Sequence, residues 1–493
     1  MTPEFAIQLA LMLPLVAVGG TLLFSARPNL REGQAVLCGL ALFAIVVYLT
    51  KEVYWGGRPA FSLFEFVPGL SIAFKVEPLG ALFALVASSL WSVTTIYAAG
   101  YMRGHHEKNQ TRFFCFFSAA IFAAIGAAFA GNMLTLFFFY ELMTLLTYPL
   151  VTHHGTKEAM RGGRIYFGIL IFGSIAFMLL AILWTYHLTG TLDFEPGGIL
   201  KGSASRGVLV ALLMLYIFGT GKAALMPFHR WLPAAMVAPT PVSALLHAVA
   251  VVKVGVFTVL KVTLYIFGID LLHEQGLSTI LMYVAGYTML AASLIAMTKD
   301  NLKERLAYST VSQLSYIVLG AMLANDLGIM GASLHIAMHA FGKITLFFCA
   351  GAFIVAAHKT EISDMRGLGR RMPITMAAFF VGAIAVIGLP PCGGAWSKWY
   401  LALATAEAEQ WALLAALMIS SLLNIAYLMP IPVWGFFAPD PQTPPGEKTK
   451  IVEAPVACLM ALVTTAVMSV ALFFLAGKIE LLLAPLRMLG GGR

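Results

Sequence analysis

Charged residues are scarce in this chain: Asp, Glu, Lys and Arg together make up 11% of its 493 residues, less than half the ~25% of a soluble domain. That deficit excludes a globule whose whole surface meets water. Metal-ligand and redox pairs are missing too. The five cysteines, Cys38, Cys115, Cys349, Cys392 and Cys458, stand singly within or beside apolar segments. Without a CxxC or CxxH pair, no iron–sulfur cluster, attached haem or zinc site is supported. No GxGxxG follows a strand and no phosphate-cradling loop occurs, so no motif for NADH or flavin is present. No cofactor and no metal is therefore expected. Ten-residue segments of alternating hydrophobicity are absent, which argues against a transmembrane β-barrel. The net charge of +8 makes no nucleic-acid surface, because the basic residues sit in short loops rather than one patch.

What fills the chain instead is apolar sequence, with 60% hydrophobic residues and a mean hydropathy of +0.87. Apolar runs of about 18 or more residues recur along the whole length, each able to cross a ~30 Å hydrocarbon core as a helix. The pattern predicts an all-α polytopic membrane protein of about fourteen transmembrane helices. They fall near 5–24, 34–50, 76–101, 112–131, 132–152, 165–189, 207–228, 242–267, 277–297, 304–323, 329–356, 373–400, 411–436 and 453–476. Segment 5–24 lacks a basic leader and a small-residue cleavage site, and reads as the first span rather than a cleaved signal. Loops are short and no linker divides the chain, so residues 1–493 read as one transmembrane domain.

Basic residues alternate between the loops. Those after spans 1, 3, 5, 9, 11 and 13 carry clusters such as Arg103, Lys108 and Arg112; Lys157, Arg161 and Arg164; Lys299, Lys303 and Arg305; and Lys448 and Lys450. The loops after spans 4, 8, 10 and 12 carry none, and those after spans 2 and 6 carry a few, Lys51, Arg58 and Lys75, then Lys201 and Arg206. Cytoplasmic loops of membrane proteins collect Lys and Arg, so both termini are expected on the outer face.

Two spans are interrupted. Span 7 carries Gly219-Thr220-Gly221-Lys222 followed by Pro227, Pro233, Pro239 and Pro241. Span 12 carries Gly388-Leu389-Pro390-Pro391 and Gly393-Gly394 just before Lys398. Glycine and proline free backbone groups that protein or water must re-satisfy. Paired broken helices mark a transport site between inverted repeats. Spans 7 and 12 are five apart, as two inverted five-helix repeats would require: spans 4–8, about 112–267, and spans 9–13, about 277–436.

A charge inside a bilayer costs at least ~2.5–3.5 kcal/mol, so ionisable residues within spans are functional candidates. Glu141 lies mid-span in FFFYELMTLLTYPLV, and Lys222 at the span 7 break. His247 and Lys253 share span 8, His335, His339 and Lys343 share span 11, and Lys398 follows the span 12 break. The last trio is spaced i, i+4, i+8, on one helical face. Burial lowers the proton affinity of lysine and histidine, so neutral members fit such a row. A single acid among four lysines suits an ion pair, and groups of this kind can accept and release a proton once water enters. The bland readings stand beside these. A lone histidine can simply bond a neighbouring carbonyl, Lys261 near a span end reads as snorkelling, and the loop pairs His105-His106 and His153-His154 read as solvated.

The stretches FFFYELMTLLTYPLV, KAALMPFHRWLPAAMVAPTPVSALLHAVAVVKVGVF, DNLKERLAYSTVSQLSYIVLG, HIAMHAFGKITLFF and GLPPCGGAWSKWYL jointly resemble the antiporter-like subunits shared by Mrp-type cation/proton antiporters, NADH:quinone oxidoreductase (complex I) and membrane-bound hydrogenases. The resemblance covers roughly spans 3–13. It implies a fourteen-helix fold with a hydrophilic axis at mid-membrane, working among other membrane subunits to move H⁺ and, in the antiporters, Na⁺ or another monovalent cation. It also implies roles: Glu141 and Lys222 as a gating ion pair, His247, Lys253, His335, His339 and Lys343 as a central relay, Lys398 as the terminal lysine near an exit. PTPVSALLHA and HxxxHxxxK are similar to the long A-type Mrp and L-type complex I subunits. The length and the GLGRRMP…GLPP…WSKWYL stretch look like the D-type Mrp subunit, the reading favoured here over a redox-driven pump subunit or a subunit for inorganic-carbon uptake. A bacterial or archaeal cell membrane is the expected location.

Overall fold

Hydrocarbon offers no partner to a backbone N–H or C=O, so an apolar segment in a bilayer closes its own hydrogen bonds as a helix. A computed structural model of the chain describes residues 2–67, 70–440 and 450–489; Lys448 lies outside the described residues. The principal helices are α1 (Pro3–Leu23), α2 (Pro28–Tyr54), α3 (Pro78–Gly104), α4 (Gln110–Ala128), α5 (Met133–Val151), α6 (Lys157–Thr189), α7 (Arg206–Gly219), α8 (Thr240–Phe267), α9 (Thr279–Thr298), α10 (Leu302–Met322), α11 (Asp326–Ala357), α12 (Pro373–Ile387), α13 (Gly394–Glu407), α14 (Trp411–Phe437) and α15 (Val456–Arg487). Among the described residues, 11 of the helices are long and apolar enough to cross a membrane.

A helix that is apolar on every side is stable only where every side is covered. α8 and α11 follow that rule. Every residue of the most apolar window of α8 is buried, and α11 packs against α3, α8, α10, α12, α13 and α15. The side chain of Asn325 caps α11 by accepting from Gly328 N–H at 2.8 Å. α1, α2, α14 and α15 bury far less of themselves and form the periphery.

Both interruptions expected from the sequence are present. α7 stops at Gly219, a single 3₁₀ turn runs Gly221–Ala223, and α8 begins only at Thr240. α12 stops at Ile387, with Gly388 at φ +89°, and α13 begins at Gly394. Glycine at 255 lets α8 pass beside the first break, since a Cβ there would lie 2.4 Å from Ala223 N and the Lys222 carbonyl carbon.

Two features were not anticipated. Residues read as the loop after span 2 form an antiparallel hairpin, β1 (Ala60–Val67) and β2 (Leu70–Lys75), with Ala60 opposite Lys75. It is tied to the corner between α4 and α5: Lys75 N–H donates to Phe129 O at 2.7 Å and Gly131 N–H to Ala73 O at 2.8 Å. The spans read as continuous also contain π turns, at Ser174–Leu179 in α6 and at Leu245–Val249 and Val262–Phe267 in α8. Such turns interrupt α-helices most often at functional positions, and the second holds His247.

Candidate functional site

The first break holds Lys222. Its side chain is fully buried, and Nζ donates to Tyr140 O at 2.6 Å and Thr144 Oγ1 at 2.7 Å, both on α5. The ammonium also lies 3.2 Å from the centre of the Tyr140 ring, and Lys222 N–H donates to the Tyr140 hydroxyl at 3.0 Å. Trp231 Nε1 donates to the Gly221 carbonyl at 2.9 Å, satisfying a backbone group that the break sets free. Glu141 sits one residue beyond Tyr140 but turns elsewhere. It faces a recess lined by Ile72, Leu134, Phe137, Phe138, Leu142 and Leu145, and its buried Oε1 has no protein partner. The ion pair expected between Glu141 and Lys222 is therefore open: no contact within 4.0 Å joins them, because the Tyr140 carbonyl and Thr144 hold the Lys222 ammonium.

α8 and α11 bring the central residues together. Lys253 Nζ lies 2.8 Å from His339 Nδ1. One turn along α11 the His335 ring stacks 5.6 Å from that of His339, and His335 Nδ1 is 2.8 Å from Ser397 Oγ on α13. Lys343, on the same face, turns to α10, donating to Ser309 Oγ at 2.8 Å and Leu306 O at 3.3 Å. His247 packs its ring 4.7 Å from Phe347, and neither of its nitrogens has a protein partner.

Lys398 closes the row. It is 6% exposed, donates to Ile387 O at 2.9 Å and Ser421 Oγ at 3.3 Å, and lies 4.6 Å from the centre of the Tyr316 ring. Its charge thus caps the last turn of α12, where a cation meets the negative end of the helix dipole. Tyr316 stacks on His335 at 5.8 Å, so Lys253, His339, His335, Tyr316 and Lys398 form one continuous file. Ring stacking joins its middle members, and the buried Nε2 atoms of His335 and His339 have no protein partner, so a proton would cross there by way of water.

Sequence reasoning missed the hydroxyl partners. Ser309 also accepts from the Tyr427 hydroxyl at 3.0 Å, which contacts Asn424. Ser293, Ser312 and Ser420 form a further cluster between α9, α10 and α14, with contacts of 2.9 to 3.3 Å. The signal was the polar residues of LAYSTVSQLSY in α10, too many for a lipid-facing helix. Lys261 is a correction of another kind. It does not snorkel: it is fully buried and pairs with Glu77, with Phe194 and Tyr265 rings 4.5 and 4.6 Å from Nζ. Of the loop histidines, His153 is buried rather than solvated.

Fold and site together define a polytopic membrane protein with a buried lysine at each of two helix breaks. Residues 130–424 match the profile of the NADH:quinone oxidoreductase/Mrp antiporter transmembrane family, and residues 68–114 that of the NADH-ubiquinone oxidoreductase (complex I) chain 5 N-terminus. The chain belongs to this family. It is 32% identical to the N subunit of NADH-quinone oxidoreductase from Desulforudis audaxviator, over 93% of both chains. It is 28% identical to the D subunit of the Na(+)/H(+) antiporter from Alkalihalophilus pseudofirmus, over 88% of this chain and 87% of that one. A chain in the Mrp complex from Dietzia sp. shares the fold, with a TM-score of 0.86 at 22% identity, over 99% of this chain and 97% of that chain.

Proposed function

We propose that this chain is a proton-translocating membrane subunit of a multisubunit Mrp-type Na⁺/H⁺ antiporter, its protons moving along Glu141, Lys222, His247, Lys253, His335, His339, Lys343 and Lys398. The reading includes fourteen spans in a bacterial or archaeal cell membrane, with two inverted repeats of five spans each, α4–α8 and α9–α14, α12 and α13 being the halves of one broken span. One observation carries it. Lys222 and Lys398 each follow a helix break, and each places its ammonium against a tyrosine from the second helix of its own repeat, Tyr140 at 3.2 Å and Tyr316 at 4.6 Å. Discontinuous helices in corresponding positions of two repeats are where transporters of this kind build their sites.

The driving force separates two readings. Similarity to the D subunit of the antiporter, over most of both chains, supports exchange for Na⁺. Similarity to the N subunit of the oxidoreductase supports the alternative, a proton-pumping arm driven by redox chemistry in other chains. In membrane vesicles holding the whole complex and an imposed pH gradient, added Na⁺ should dissipate the gradient, and Lys222→Ala should abolish that while assembly persists. Dissipation that ignores Na⁺ but follows NADH oxidation would turn the assignment to the redox arm. Near-normal transport by Lys222→Ala would defeat the proton path in either form.

A further inference from the structure

The loops on the basic side bring together a cluster that the axis does not use. Glu107 follows α3 with its side chain 7% exposed. His105 Nδ1 lies 3.0 Å from one of its carboxylate oxygens and His154 Nδ1 3.5 Å from the other, and both imidazoles are about one-third exposed. Behind them His153 is buried, held by Nε2 at 3.0 Å from Lys108 O, while its buried Nδ1 has no protein partner. Burial pushes the His153 imidazole down from its ordinary range, Glu107 opposing and Arg112 and His154 adding to that effect. Among the described residues no three His, Cys, Asp or Glu side chains are placed to hold a metal ion. An acid ringed by imidazoles, part wet and part dry, is instead suited to holding a proton at the water boundary.

The cluster leads inward. Tyr101 stacks on His105 at 5.6 Å and accepts from Thr240 Oγ1 at 3.4 Å, which places Glu107 near the first residue of α8. Lys303 also reaches the start of α8, donating to Ala238 O at 2.6 Å. His247 lies two turns farther down α8.

We propose that Glu107, held between His105 and His154, is a proton-collecting site that exchanges protons with water on the basic-loop side and delivers them toward the start of α8. An imidazolium at His105 or His154 gives its proton to the Glu107 carboxylate and becomes neutral. The carboxylic acid then gives it to a water molecule on the bundle side, and the carboxylate is left to take the next proton. The reverse sequence releases protons. The inference rests on the proton-path reading above.

A collecting site matters when protons are scarce, so its loss appears at alkaline pH and vanishes in acid. In proteoliposomes holding the assembled complex, Glu107→Gln should slow transport roughly tenfold at alkaline pH, with the rate recovering at acid pH. The deficit should follow the pH of one side of the membrane only. His105→Asn/His154→Asn, at part-exposed positions, should shift the profile the same way; this double variant decides the question if Glu107→Gln does not assemble. A profile unchanged in shape, or a loss equal at every pH, would overturn the proposal. Lys222→Ala is measured alongside: its failure to block transport would remove the proton path itself, whereas a block there with an unshifted Glu107→Gln profile rejects the collecting site alone.

Discussion

Arginine distinguishes the buried lysines by what each does with its proton. It keeps the charge and can donate to a carbonyl, but it never deprotonates in a protein. Lys398 donates to Ile387 O, and arginine can keep that contact, so Lys398→Arg is expected to assemble normally and lose proton transport in vesicles. Lys261→Arg is expected to transport normally, since its pair with Glu77 needs only a fixed cation. Lys261→Met leaves Glu77 buried beside a single, part-exposed Lys75 at 3.6 Å. Breaking a buried pair costs about 3 kcal/mol or more, so this variant should lose thermal stability in detergent, read as earlier loss of the assembled complex on heating. Equal behaviour of Lys398→Arg and Lys261→Arg in the transport assay would remove the distinction.

At the scale of elements, hydropathy and glycine–proline punctuation located the helices and both breaks, because they report which segments leave water and where a helix cannot continue. They carry no information on partners. Lys261 looked like a snorkelling side chain because Glu77 lies 184 positions away in the chain. Glu141 and Lys222 were expected to pair, yet a neighbouring carbonyl and Thr144 won the ammonium. The hairpin went unread because β1 and β2 are short strands flanked by apolar helices, and the π turns because a one-residue shift in hydrogen bonding leaves apolar periodicity intact. The close pass of α8 beside the first break gives a test at this scale. Gly255→Ala puts a Cβ against backbone, which must shift, and overpacking of this kind costs ~1–3 kcal/mol. Assembled complex and transport should fall together. Gly168→Ala, on α6 with nothing within 4 Å of the added carbon, should leave both intact; a drop equal to that of Gly255→Ala would deny the break its special packing.

For the whole molecule, the position of Glu141 sets a requirement. It lies between Phe138 and Leu145, which are 53% and 51% exposed, so its face of α5 points out of the bundle. Its Oε1 is buried in a recess on that face, and an acid so near lipid is costly, so a neighbouring membrane subunit is expected over it. Phe138→Cys is therefore expected to react with a membrane-permeant maleimide much more slowly in the assembled complex than in this chain expressed alone. Equal labelling rates would place the partners elsewhere. The even number of spans proposed here also puts both termini on one side, outside by the charge of the loops, and a C-terminal reporter active only in the cytoplasm would contradict that.

The central place of α11 has a consequence for biogenesis. Its covers come from both ends of the chain: Tyr97 on α3 donates to Phe348 O at 2.9 Å, and Thr345 donates to Thr465 on α15 at 2.9 Å. A ribosome delivers α11, with His335, His339 and Lys343 already on it, long before α15 exists. His339 and Lys343 already have their partners on α8 and α10 by then, but the flank around Thr345 stays uncovered until α15 arrives. Closure of the bundle around α11 is thus expected to depend on α15. Chains ending before Val456 should be recognised as unfinished and degraded, while supplying 450–493 as a separate polypeptide should rescue their accumulation.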